Sequence, residues 1–336
     1  MRFARFWVLL ALLGCPASED PPEETTGDED IMFPDEAAAQ RAPRHEASEI
    51  VARGEAALAQ GDIDTARSAF EEAARADPED PRAQLDLGLV LELGGQYEPA
   101  EAAYREAVRI DPDFAEALSN LGLLLRDRER PSEAVPLLRH AVEVEPAMAD
   151  AWLNLALALE ESGDDRGAEE AYRRTVRLKP EDPMVRANLG LLLLRGGDTS
   201  GAALELRRGL QHARGNPAAL QAIGSGLRRA GQPDGAARAM EMLVETMEAP
   251  TPAVLSELAL AQRAGGDREA AEATLARALE VDETYATAHY LLGSMQAARG
   301  AYGDAIRHFE RYLALEPQGP HAARVRENLA AARQRR

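Results

Sequence analysis

The repeating unit of this chain is clearest in residues 81–114, which read PRAQLDLGLVLELGGQYEPAEAAYREAVRIDPDF. Apolar residues recur three or four positions apart in two stretches, and Gly94-Gly95 separates the two. That spacing is typical of two amphipathic helices joined by a short turn. Asp111-Pro112 follows the second stretch, where proline ends a helix. The segment therefore predicts a helix–turn–helix unit.

The same unit returns every 34 residues along most of the chain. Small residues, mainly glycine, stand at positions 54, 88, 122, 156, 190 and 224. A bulky residue follows each of them at the same distance: Phe70, Tyr104, Leu138, Tyr172, Leu206 and Met240. After a one-residue slip near Thr251 the pattern continues with Gly293 and Phe309. A fixed period of this length is typical of stacked helical repeats, in which each unit contacts only its neighbours.

These positions resemble the tetratricopeptide repeat family. Residues 149–182 carry the family pattern at Trp152, Leu155, Ala156, Leu159, Ala168, Tyr172, Thr175 and Pro180. The resemblance covers residues 47–319 as eight units: 47–80, 81–114, 115–148, 149–182, 183–216, 217–250, 252–285 and 286–319. It implies an all-α fold, a right-handed superhelical α-solenoid of about eight helix-turn-helix repeats. It also implies a concave groove, lined by the first helix of each pair, that binds a protein or peptide.

The C-terminal residues 320–336 have an apolar face formed by Ala322, Val325 and Leu329, together with five arginines. Terminal repeats need a polar outer cap for solubility. We therefore expect a capping helix with a basic tail. Contact of that tail with anionic lipid is the alternative.

The first residues predict a secretory signal peptide. Arg2 and Arg5 precede the eight apolar residues 6–13. This is the order of a positive region and a short apolar region in a signal peptide. Eight residues are too few to cross ~30 Å of hydrocarbon as a helix. We place the signal peptide at residues 1–14.

The end of that segment, Leu12-Leu13-Gly14-Cys15, resembles the bacterial lipobox. The resemblance implies cleavage before Cys15 and attachment of lipid to its thiol, which is the only thiol in the chain. More than one acyl chain gives stable membrane anchoring, because each buried CH₂ group contributes ~0.8 kcal/mol. Ordinary secretion with cleavage after Ala17 is the alternative.

Residues 15–46 predict a disordered tether after the lipid site. Residues 16–36 contain nine acidic side chains and no basic ones, along with several prolines. Such a segment buries too little apolar surface to become ordered. The repeats are then expected on the periplasmic side of the cell envelope. Because Pro16, rather than the aspartate that signals inner-membrane retention, follows Cys15, the outer membrane is favoured over the inner membrane.

Composition and motifs exclude several function classes. The formal net charge of −20 argues against nucleic acid binding, which needs a basic surface. The six histidines form no HExxH motif or Cys/His cluster, so we expect no metal site. No nucleophile elbow, phosphate-binding loop or dinucleotide motif is found, so we expect no catalytic residues and no cofactor. His289 occupies the position of Trp152, which indicates a packing role.

The expected groove has a recurring polar position, the sixth of each unit. It holds Asp86, Asn120, Asn154 and Asn188 in units two to five. Asparagine both donates and accepts hydrogen bonds, and superhelical members of the family use such a ladder to hold a peptide backbone. The alternative is that these amides only bond a neighbouring helix.

Two further sets of residues are expected to flank the ladder. An apolar strip is formed by Leu89, Leu123, Leu157 and Leu191. The groove edge carries Arg126, Arg195, Arg228, Arg229 and Arg263, whose guanidinium groups suit acidic ligands.

The sequence thus predicts a non-enzymatic, lipid-anchored scaffold that binds a protein or peptide partner. Lipoproteins of this design act in pilus and secretin assembly, in outer-membrane protein assembly and as adaptors of cell-wall enzymes, and the sequence does not choose among them. A secreted periplasmic binding protein without a lipid anchor is the alternative. An enzyme with an unrecognised site is the third possibility.

Overall fold

The computed structural model describes residues 49–336 of the 336-residue chain. In that range the chain forms seventeen helices and no strands. The helix α1 covers residues 49–59. The others are α2 (Ile63–Ala76), α3 (Pro81–Leu93), α4 (Tyr97–Ile110), α5 (Ala115–Asp127), α6 (Pro131–Val144), α7 (Ala149–Glu161), α8 (Asp165–Leu178), α9 (Pro183–Arg195), α10 (Thr199–Leu210), α11 (Pro217–Arg229), α12 (Pro233–Thr246), α13 (Pro252–Ala264), α14 (Arg268–Val281), α15 (Ala286–Ala298), α16 (Tyr302–Leu315) and α17 (Ala322–Arg335).

The contacts between helices divide the chain into two compact units, one ending at Gly163 and the other beginning at Asp164. In the first unit, α3 packs on α4 and α5 packs on α6. In the second unit, the pairs are α9 with α10, α11 with α12, α13 with α14 and α15 with α16. Each pair also packs on the next pair within its unit. Stacked helix pairs of this kind confirm the predicted all-α solenoid class.

The turn between the two helices of a pair depends on a left-handed residue. Gly95 has a φ of 74° and Gly197 a φ of 86°, and glycine adopts such values without steric cost because it has no Cβ. In several repeats, but not after Gly95, an aspartate follows this glycine and caps the second helix. Asp198, for example, accepts a hydrogen bond from the backbone N–H of Gly201 at 2.8 Å. In the third repeat Glu129 occupies the glycine position with a φ of 61°, and it is the only described non-glycine residue with positive φ.

The small residue of each first helix lies against the bulky residue of its partner helix. A Cβ atom placed on Gly122 would lie 2.5 Å from Cγ of Leu138, closer than two carbon atoms can approach. Gly190 meets Leu206 in the same way. Leu138 and Leu206 are fully buried. The bulky side chain therefore fills the space that the missing Cβ leaves between the two helices.

The last helix, α17, covers the end of the last pair. Val325 and Leu329 of α17 join a buried cluster with Phe309 and Tyr312 of α16. The predicted signal peptide, Cys15 and the tether lie outside the described residues. Within residues 49–336 no helix has both the length and the apolarity that a membrane crossing requires.

Candidate partner-binding site

The sixth-position residues lie in the middle of the first helices of their pairs. Asp86 is on α3, Asn120 on α5 and Asn154 on α7, all in the first unit. Asn188 is on α9 in the second unit. Asn120 and Asn154 are half-buried, and their helices α5 and α7 contact each other directly. The first unit therefore brings two of the predicted amides onto neighbouring helices.

Asp86 differs from the asparagines because it is almost completely buried. Asp86 is 3% exposed, and its Oδ2 atom has no hydrogen-bond partner among the described residues. Burial raises the pKa of the Asp86 carboxyl to about 7, against the opposing charge of Arg82. A carboxyl group with that pKa is partly protonated near neutral pH. It then both donates and accepts hydrogen bonds, as the asparagine amides do.

Asn154 is in contact with the preceding repeat through Arg126. Nη1 of Arg126 donates to Oδ1 of Asn154 at 3.4 Å. Nη2 of the same guanidinium lies 2.9 Å from Oδ1 of Asp127, and Nε lies 3.8 Å from Oε1 of Glu161. Arg126 thus lies among carboxylates of its own chain. An acidic group on a partner would have to compete with them for this guanidinium.

Two of the other predicted groove-edge arginines lie beside carboxylates of their own unit. Nη2 of Arg195 lies 2.8 Å from Oδ1 of Asp165, and Nη2 of Arg228 lies 3.2 Å from Oε2 of Glu257, all in the second unit. Arg229 and Arg263 are exposed.

The leucines of the predicted apolar strip are not equally accessible. Leu89 is 7% exposed and belongs to the core. Leu123, Leu157 and Leu191 are half-buried. Leu123 and Leu157 follow Asn120 and Asn154 by three residues on α5 and α7, so each lies one helical turn from an amide. Apolar surface is therefore available next to both amides of the first unit.

The structure also shows a recurring contact at the fourth position of the repeats that the sequence analysis did not find. Nε1 of Trp152 donates to the carbonyl oxygen of Pro146 at 3.0 Å, six residues upstream. Nε of Arg186 makes the same contact with the carbonyl oxygen of Pro180 at 2.8 Å. The fourth-position side chain thus anchors the start of its own repeat to the preceding loop.

Two repeats pair the fourth position with a polar residue in the second helix. Nη1 of Arg186 donates to Oε2 of Glu205 at 2.6 Å, and both side chains are 11% exposed. Nδ1 of His289 lies 2.9 Å from Nδ1 of His308. The sequence signal for both pairs is a polar residue at position four with another at position 23 of the same repeat. In the part of the chain that is described, no three His, Cys, Asp or Glu side chains form a group able to hold a metal ion.

Stacked helix pairs with glycine turns and close glycine–bulky contacts define an all-α repeat protein. The family model for the tetratricopeptide repeat matches residues 51–113, 119–183, 161–219 and 256–320. These ranges cover more than half of the chain. The chain belongs to the tetratricopeptide repeat family.

Comparison with solved structures finds several similar chains. The chain is 21% identical to the pilF protein of Pseudomonas aeruginosa, with a TM-score of 0.54 over 62% of this chain and 95% of that one. It is 25% identical to MamA of Desulfovibrio magneticus RS-1, with a TM-score of 0.47 over 51% of this chain and 96% of that one. PilW, described as a widely conserved type IV pilus biogenesis factor, gives 20% identity and a TM-score of 0.45 over 71% of this chain and 94% of that one. The search of curated proteins gave no significant match.

Proposed function

We propose that this chain is a non-enzymatic scaffold, anchored by lipid to the periplasmic side of the bacterial cell envelope. In this proposal its repeats bind an extended segment of a partner protein and hold it near the membrane. The outer membrane is favoured as the site of anchoring. Assembly of an envelope machine, such as a pilus or secretin, outer-membrane proteins or a cell-wall enzyme complex, is the process that such a scaffold serves.

The observation that carries the binding proposal is the pairing of amides and leucines on α5 and α7. Asn120 and Asn154 are half-buried on neighbouring helices, each one turn from a half-buried leucine, Leu123 or Leu157. Asn120 bonds no other described side chain. An extended peptide presents backbone N–H and C=O groups between alternating side chains. Amides that donate and accept suit its backbone, and the leucines suit its apolar side chains.

The proposal is tested by selecting peptides that bind the chain from a displayed random library. The affinity of a selected peptide is then measured for Asn120→Ala with Asn154→Ala. Losing a buried hydrogen-bond partner costs roughly 1–3 kcal/mol, so we expect the pair to weaken binding by about tenfold or more. Asn328→Ala, which makes the same chemical change on α17, is the control and leaves binding unchanged. Equal affinity of wild type and the double variant would remove these amides from the binding site.

The anchoring proposal is supported by the lipobox resemblance at Cys15 and the acidic segment that follows it. Full-length chain expressed in a Gram-negative host is labelled with a palmitate analogue. We expect the label on the wild type and its loss in Cys15→Ala. A wild type that is cleaved and secreted without label would favour the soluble periplasmic alternative. That result would leave the binding proposal untouched.

A further inference from the structure

A cavity of about 390 Å³ opens in the second unit between α14, α15 and α16. Its lining includes Glu272 and Glu280 of α14, Gln296 of α15 and His308 of α16. Neither Gln296 nor any other lining residue occupies the sixth or ninth position of a repeat, where the asparagines and the leucine strip lie. The cavity is therefore a site separate from the proposed peptide-binding face.

The polar groups of this cavity include several hydrogen-bond acceptors. Glu272 and Glu280 present carboxylates. Gln296 is 9% exposed, and its Oε1 atom has no hydrogen-bond partner among the described residues. This oxygen is enclosed by protein, so a rotation of the Gln296 side chain has to bring it to a bound donor, and such a donor would relieve the cost of burying it without a partner. Gln296 thus supplies evidence for a ligand that is independent of the acidic side chains.

When both imidazoles are uncharged, the hydrogen bonds of His289 leave an acceptor on His308 as well. Nε2 of His289 lies 3.0 Å from the carbonyl oxygen of Glu283, which only accepts, so Nε2 carries the proton. Trp152 and Arg186 likewise donate to the carbonyl group six residues upstream of each. Nδ1 of a neutral His289 is then an acceptor, and Nδ1 of His308 donates to it at 2.9 Å. The remaining nitrogen of His308, Nε2, carries a lone pair.

His308 stays uncharged at neutral pH. Burial, with the neighbouring His289 and Arg307, lowers the pKa of His308 to about 4. The ring therefore adds no positive charge to the cavity. One guanidinium of this chain already binds at the edge, since Nη2 of Arg299 lies 3.2 Å from Oε2 of Glu272. Arg299 is half-exposed, and its contact with Glu272 shows that a guanidinium group can bind this carboxylate.

We propose that this cavity binds the side chain of an arginine in a partner protein. The planar guanidinium has five N–H donors, which match two carboxylates, an amide oxygen and an imidazole nitrogen. Leu279 and Leu292 also line the cavity and contact the methylene groups of such a side chain. Arg299, the cation at the edge, is already paired with Glu272, and the two glutamates repel the α-carboxylate of free arginine. The ligand is therefore an arginine within a polypeptide.

The proposal is tested by titrating the full chain with acetyl-arginine-N-methylamide at about pH 8, above the ordinary pKa of histidine. Binding is followed by NMR at the side-chain amide of Gln296 and the ring of His308. We expect both signals to shift, and acetyl-citrulline-N-methylamide, which has the same shape without the charge, to bind about tenfold more weakly. Free L-arginine is expected to bind more weakly than the capped probe.

Glu280→Gln and Glu269→Gln form a matched pair of variants. Both residues are exposed glutamates on α14, but only Glu280 lines the cavity. We expect Glu280→Gln to weaken binding of the arginine probe by about fivefold to tenfold and Glu269→Gln to leave it nearly unchanged. Equal effects of the two variants would reduce the binding to general attraction by an acidic surface. Equal binding of the citrulline probe, or tighter binding of free arginine, would also overturn the proposal.

Discussion

The guanidinium of Arg126 reaches the side-chain oxygen of Asn154 in the next repeat, with Nη1 and Oδ1 3.4 Å apart. Asn120 occupies the same repeat position as Asn154 but bonds no other described side chain. The two amides occupy equivalent positions in the repeat but differ in their hydrogen bonding. Asn154 contributes to the packing between repeats, whereas Asn120 has its full hydrogen-bonding capacity available.

We expect Asn154→Ala to lower the free energy of unfolding by about 0.5–1.5 kcal/mol, since it removes one hydrogen bond whose length of 3.4 Å makes it weak for a charged donor. Asn120→Ala is expected to change it by less than about 0.5 kcal/mol. Urea denaturation of the two variants measures both values. A loss of stability in Asn120→Ala as large as in Asn154→Ala would mean that Asn120 also contributes to packing.

Asp86→Asn is expected to stabilise the protein above neutral pH. In the folded chain burial raises the pKa of Asp86 from 3.8 to about 7, so this group keeps its proton while the unfolded chain has lost it. The wild type therefore loses stability as pH rises from about 4 to about 7, and the loss is complete above the folded-state pKa. A shift of this size corresponds to roughly 2–4 kcal/mol. Asparagine, the residue found at this position in three other repeats, carries no charge to desolvate.

The measurement for Asp86→Asn is the free energy of unfolding of variant and wild type at several pH values. The other titrating groups contribute equally to both proteins, so the difference in their free energies of unfolding reports the contribution of Asp86. We expect a difference near zero at pH 4 or below, growing up to about pH 7 and constant beyond. A difference that does not depend on pH would show that Asp86 ionises normally in the folded chain.

Glu129→Gly is expected to raise the free energy of unfolding by roughly 1 kcal/mol or less. Glu129 has a φ of 61°, where a side chain is strained and glycine is not. The gain is partly offset because glycine loses more backbone entropy on folding. Glu129→Ala is the control, because alanine retains the steric cost of positive φ. Thermal denaturation of both variants compares them, and a gain in alanine equal to that in glycine would exclude the backbone explanation.

Arg186→Met is expected to destabilise the second unit by roughly 1–3 kcal/mol. The change removes the guanidinium that donates to Glu205 at 2.6 Å and leaves this buried carboxylate with Arg208 alone, whose Nη1 lies 3.2 Å from Oε1. Adding Glu205→Leu to Arg186→Met removes that charge and is expected to restore most of the stability, because a buried ion pair and an apolar pair differ little. Chemical denaturation of the two variants measures the effects. A double variant as unstable as Arg186→Met would show that the arginine acts through its hydrogen bond to Pro180.

The sequence alone determined the fold class, the helix pairs and the short turns between the helices of this chain. These features depend on local chemistry that repeats every 34 residues, so each recurrence adds evidence for the same structure. Glycine at the turn and alanine or glycine opposite a bulky residue are readable without coordinates. The positions of the groove amides on the first helices also follow directly from the repeat register.

The tertiary structure alone decided which of those side chains have partners. Burial of Asp86 with its raised pKa, the contact of Arg126 with Asn154 and the pairing of Arg186 with Glu205 all depend on distances between different helices. The repeat register fixes the face on which a residue lies. Hydrogen bonds and pKa values instead depend on which atoms approach within about 3 Å and on how much water is excluded, and only the packed helices determine both.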